Sequence, residues 1–216
     1  MKTVEEALKI RNVIKSTMDF EVNPIDNTLP IIPALKGSDE IKLIIIGQDP
    51  TIKKIDSRKN ITCTLNLDKN NALKTYVIRI CTLLGIAIEN VYATNLYKYF
   101  YTFPPANTPE VLKSHLQPNL DLLIKEIDEY SNVQIITLGE PILKLLSSEK
   151  DKVSVYWDYD KKKKTTNGNF KLSPANENKL KIDFYPFPHQ PSIRKVFYNR
   201  TLEDYIYFMR CSLDSK

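Results

Sequence analysis

The chain has 216 residues, 42% hydrophobic and 26% charged, with a formal net charge of +5. That balance fits one folded α/β domain with its own core and excludes a disordered chain. No stretch approaches the roughly 18 consecutive apolar residues of a membrane-spanning helix, so no membrane association is expected.

Thr3 and Glu6 read as a capping box ahead of a helix to about Met18, too amphipathic for a signal peptide. Pro24, Pro30 and Pro33 break regularity. The apolar run at 41–46 predicts a fully buried first strand, ending in Gly47-Gln48-Asp49-Pro50. Apolar residues at helical spacing follow from Asn71, with Gly85 as the stop. A second strand is expected over 90–96. Thr108 and Pro109 open a long helix that Pro118 should kink or divide. Within that helix, His115 reads as a solvated residue beside Lys113, Ser114 and Gln117. Residues 132–139 give a third strand, and Pro141 sits near the start of a short helix. The polar segment 149–178, with lysines at 161–164, predicts an insertion or a hairpin pairing VSVYWDY with NFKLS. Residues 181–188 are the fourth strand, and a helix closes the chain. Strands alternating with helices predict a three-layer α/β/α sandwich around a mostly parallel four-stranded sheet, in a single domain over 1–216.

In an open parallel sheet, ligands bind beyond the carboxyl ends of the strands. Those ends bring Asp49, Asn95 and His189 to one rim. Each residue alone has a structural explanation, as a turn former, a cap or a loop histidine. Together in a crevice they point to a site. It is not a nucleotide-phosphate site, because GxGxxG and GxxxxGK[ST] are absent and the chain has only five glycines. No serine sits at a GxSxG elbow. Cys63, Cys81 and Cys211 are odd in number and form no CxxC pair. That excludes a disulfide framework or cysteine metal site and fits a reduced, intracellular compartment. The net charge is compatible with nucleic-acid binding without requiring it.

GQDP after an apolar first strand, an asparagine closing a middle strand, and HxPS after the last strand resemble the uracil-DNA glycosylase superfamily. The segment from TNLYKYF through VQIITLGEPILKLL is similar to the branch whose thermophilic members carry an iron–sulphur cluster, although the cluster cysteines are absent. The resemblance covers about residues 40–210. It implies a monomeric base-excision-repair enzyme that flips uracil or a related deaminated base out of DNA. The enzyme would hydrolyse the N-glycosidic bond with no metal or organic cofactor. Asp49 would then position water and stabilise the cationic sugar, and His189 would hydrogen-bond the departing base. Asn95 would read the base edge, with Gln48 and Thr51 completing the base pocket.

The chemistry is coherent on physical grounds. Glycosidic cleavage puts positive charge on the sugar and negative charge on the base, and an aspartate and a histidine donor oppose the two. One amide offers both a donor and an acceptor, as uracil N3–H and O4 require. Lys53 and Lys54, which follow the catalytic loop, and Ser192 are the expected phosphate contacts, ahead of the lysines at 161–164. Ile193 or Arg194 is the expected wedge that compensates base flipping. Some positions depart from the family pattern. Thr51 stands where an aromatic residue often excludes the thymine methyl, and NITCTLNL lacks the usual stacking aromatic, leaving Tyr97 or Tyr99 as substitutes. Gln190 is inserted after His189. A non-catalytic DNA- or protein-binding relative, or an unrelated α/β hydrolase with Asp49 as a metal ligand, are the competing readings.

Overall fold

The computed structural model describes residues 2–130, 132–148, 152–160 and 162–214. Helix α1 (Lys2–Thr17) precedes two short strands, β1 (Ile25–Asp26) and β2 (Leu35–Lys36), and then β3 (Leu43–Gly47). Helix α2 (Ala72–Leu84) leads to β4 (Val91–Asn95) and β5 (Phe100–Tyr101). Helices α3 (Pro109–Ser114) and α4 (Leu116–Ile127) precede β6 (Gln134–Leu138). Then come α5 (Glu140–Leu146), α6 (Val153–Tyr156), and a hairpin of β7 (Tyr159–Asp160) and β8 (Thr165–Thr166). Strand β9 (Tyr185–Phe187), α7 (Gln190–Ile193) and α8 (Val196–Asp214) complete the chain.

The main sheet runs in the order β2-β4-β3-β6-β9. Pairs β4/β3, β3/β6 and β6/β9 are parallel, while β2 is antiparallel to β4 at the edge. The sheet is therefore five-stranded, not four-stranded. The extra strand is two residues long, between Pro33 and Gly37, and too short to carry a periodic signal. Leu43, Ile44, Ile45 and Ile46 alternate across the sheet and are all fully buried, so both faces of β3 are covered. Helix α1 packs on α4, and α2 on α8. None of the helices is long and apolar enough to cross a membrane, among the described residues.

Local chemistry fixes several boundaries. The Asn71 side chain accepts the Lys74 amide at 2.9 Å and opens α2. Gly85, at φ +72°, lets Ile86 N–H return to the Cys81 carbonyl at 3.0 Å and close it. The expected break in the long helix falls at His115 rather than Pro118. Pro118 is the third residue of α4, where a missing N–H leaves no helical bond unmade. In VSVYWDY the buried residues are Val153, Tyr156 and Trp157. Their i, i+3, i+4 spacing makes this piece a helical turn instead of the expected strand. Trp157 anchors it, stacking on Tyr205 at 4.4 Å and donating its indole N–H to Pro186 O at 2.8 Å. The hairpin that does form pairs Tyr159 with Thr166 and Asp160 with Thr165. Residues 149–151 and 161 of the polar segment lie outside the described residues.

Candidate active site

The sheet order explains why the strand ends converge. From β3 the chain goes to β4 on one side, then crosses to β6 and β9 on the other. The reversal leaves a crevice at the carboxyl end of β3. Asn95 ends β4, Gln48 and Asp49 follow β3, Gly139 follows β6, and Pro188 and His189 follow β9. Gly47 and Asn95 are direct partners in the parallel register. At about 4.8 Å per strand, the ends of β3 and β9 lie ~10 Å apart, with the end of β6 between them.

Asp49 is half-buried. One carboxylate oxygen accepts the Thr51 backbone N–H at 2.7 Å, and the other accepts the Gln48 side-chain amide at 2.6 Å. Burial pushes the carboxyl up to about 6, although both hydrogen bonds and the Arg58 charge pull it down. Buried Arg58 holds the loop in place, with its Nε donating to Ile52 O and its Nη1 to Tyr101 O, both at 2.9 Å. The Thr51 hydroxyl accepts Tyr101 N–H at 2.9 Å, so this side chain is committed to the loop. Gln48 accepts Tyr97 N–H through its backbone carbonyl at 2.9 Å, and its buried side-chain Oε1 has no partner.

Asn95 is 1% exposed, yet neither its amide nitrogen nor its amide oxygen has a hydrogen-bond partner. A buried polar group left unpaired costs about 1–3 kcal/mol, and Asn95 leaves both a donor and an acceptor open on one side chain. Gly47 makes room for this amide. A Cβ there would lie 2.3 Å from Asn95 Oδ1 and 2.9 Å from Leu65 Cδ2. Leu65 reaches that spot from a turn in which it and Asn66 have φ of 58° and 53°, a region rarely adopted by a branched side chain.

Beneath Asn95 lies a buried ion pair. Lys98 Nζ donates to Glu126 at 2.6 Å, to Thr94 Oγ1 at 2.7 Å and to the Asn95 carbonyl at 3.0 Å, which uses all three of its protons. Tyr92 and Thr94 hydroxyls donate to the other Glu126 oxygen at 2.5 and 3.0 Å. Burial lowers the Lys98 pKa, with Glu126 opposing. The network pins the backbone that carries the open amide. Sequence reading missed it, because Lys98 and Glu126 are 28 residues apart and no local pattern joins them.

His189 caps α7, its carbonyl accepting Ser192 N–H at 2.8 Å and Ile193 N–H at 3.1 Å. It packs against Gly139, where an added Cβ would stand 3.2 Å from His189 Cβ. The residue is exposed, yet the protein crowding its ring lowers its pKa and favours the neutral form. No hydrogen bond reaches the ring among the described residues. Ser192 is half-buried, and Arg194, Lys53 and Lys54 are exposed. Ile193 is 7% exposed and belongs to the core, so of the two wedge candidates only Arg194 reaches solvent.

Tyr97 and Tyr99 offer no face to a ligand. Both are fully buried, and their hydroxyls are engaged by Leu112 O and by Asn119. His115 is also fully buried, contrary to its surface-like neighbours. Its Nε2 is 3.0 Å from Met18 O and its Nδ1 is 3.0 Å from the Tyr101 hydroxyl. The helix breaks at His115, which turns the ring inward. No group of three or more His, Cys, Asp or Glu side chains is placed to hold a metal, among the described residues.

A mostly parallel five-stranded sheet, with a carboxylate and an open amide at adjacent strand ends, places the chain in the α/β class. The chain belongs to the uracil DNA glycosylase superfamily, whose family model matches residues 35–195. Members of this superfamily are glycosylase hydrolases that act on DNA. A search of curated proteins found no match.

Proposed function

We propose that this protein releases uracil or a related deaminated base from DNA, as an intracellular base-excision-repair glycosylase. The observation that carries the reading is the buried Asn95 amide, with donor and acceptor both open one strand from Asp49. A flipped uracil would satisfy both atoms through N3–H and O4, whereas cytosine presents the reverse pattern. Leu65 would cover the base with an aliphatic surface in place of a ring. Asp49, ionised above about pH 6, would face the sugar and stabilise its developing positive charge. His189, neutral at pH 7, would donate one N–H to the departing base oxygen. Lys53, Lys54 and Ser192 would meet phosphates, and Arg194 would enter the vacated stack.

The test is base release, in EDTA, from labelled oligonucleotides carrying one uracil, hypoxanthine, xanthine or T·G mismatch, with Asp49→Asn alongside. Alkali-revealed cleavage at one base, lost in the variant, is expected. Uracil-dependent binding without turnover would replace the proposal with a non-catalytic binding role.

A further inference from the structure

Beyond His189 a second groove, of about 560 Å³, runs between the first turn of α8 and the β7–β8 hairpin. Its walls combine cations (Lys164, Lys195, Arg200) with rings (Tyr159, Phe197, Tyr198). Glu140, Lys195 and Tyr198 also line the small cleft that contains His189 and Ser192. The groove thus adjoins the His189 side of the candidate site through these three shared residues. Tyr198 is buried, braced edge-on by Trp157 at 5.3 Å. Tyr159 and Phe197 are half-buried, with ring centroids 4.3 Å apart and a tilt of 48°, and Phe197 also meets Tyr198 at 5.1 Å, so part of each ring stays accessible, Tyr159 the more openly.

Partly accessible rings set among cations match a nucleobase and its phosphates. Bases inside a duplex are already stacked and cannot offer their faces. An acidic peptide would use the cations and leave the rings idle, and an apolar helix would leave the cations desolvated. We propose that this groove holds an unpaired nucleotide next to the flipped one, so that the protein favours single-stranded DNA. The proposal rests on the glycosylase reading for the position of the strand, but its test does not require turnover.

The test is fluorescence anisotropy with a labelled, undamaged oligothymidylate and a hairpin duplex of equal length. Wild type should bind the single strand more tightly. The Tyr159→Ala/Phe197→Ala double variant should lose roughly 5- to 100-fold in single-strand affinity, the range for a lost base stack, and less on the duplex. Lys164→Gln, at an exposed position, keeps the test open if the double variant misfolds, and should flatten the salt dependence of single-strand binding by about 0.7 in log–log slope. Equal losses on both DNA forms, or single-strand binding by both variants like wild type, would overturn the proposal. Base release by the wild-type preparation is scored separately. A protein that releases uracil but ignores these substitutions sinks only the groove, and one that responds to them but releases no base sinks only the catalytic reading.

Discussion

Replacing Asp49 by asparagine should stabilise the fold while removing the proposed activity. The carboxyl is lifted by burial from an ordinary value of 3.8 to about 6. At about 1.4 kcal/mol per pH unit, the folded state gives up about 3 kcal/mol once the group is ionised. The cost is absent below about pH 4, where the carboxyl is protonated folded and unfolded. It grows as the pH rises from about 4 to 6, because only the unfolded chain ionises freely there, and it is complete above about pH 6. An amide carries no such cost and keeps an oxygen for the Thr51 N–H. Gln48 can rotate its amide so that the idle Oε1 accepts the new N–H. A gain of about 1–3 kcal/mol is expected at pH 7.5, raising Tm by roughly 2–10 °C for a chain of this size. Urea unfolding of both proteins at pH 7.5 and pH 4 would measure it. A variant less stable than wild type at pH 7.5, or a difference that ignores pH, would refute the argument that Asp49 is held ionised against its desolvation.

The same carboxyl should govern rate. Single-turnover base release should fall about tenfold per pH unit below about 6 and level off above it, and a flat profile through that point would contradict an ionised Asp49. Gly47→Ala places a methyl 2.3 Å from Asn95 Oδ1, so base release should drop by on the order of 10²-fold and stability by roughly 1–3 kcal/mol; unchanged kinetics would show that the Asn95 amide does not read the base. Lys98→Met leaves Glu126 buried without its cation and should cost roughly 3–5 kcal/mol in denaturant titration, most of it recovered by adding Glu126→Leu. Failure of the second change to rescue stability would argue against a desolvated pair.

The parts of the fold visible in the sequence were those with a strong local signal. Strand β3 is fully buried and appears as an unbroken apolar run, and β4 and β6 are largely buried and mostly apolar. Once those strands are placed, the topology of parallel sheets sends Asp49, Asn95 and His189 to one rim. What stayed hidden depends on partners distant in the chain. His115 sits among exposed Lys113 and Gln117 and is buried only because Tyr101 and Met18 wait for it across the fold. Strand β2 exists only as an edge on β4. Leu65 comes to Gly47 through a left-handed turn that composition does not announce. Ile193 follows the His189 loop in sequence, yet it is the buried residue of α7 and packs in the core, which only the folded contacts reveal.

The contacts of His115 bear on where this protein can be cut. The family match begins at residue 35, but the structural unit begins earlier. Met18 supplies the acceptor for His115, and Asn23 clamps Phe103 through both its amide atoms, at 2.9 and 3.1 Å. Arg11 donates to Leu29 O, and Ala7 and Ile14 are fully enclosed. A chain trimmed to the matched span would uncover α4 and remove β1, which pairs Ile25 with Tyr101. In this chain the packed unit extends beyond the segment that the family model matches, so a trimmed fragment should lose stability.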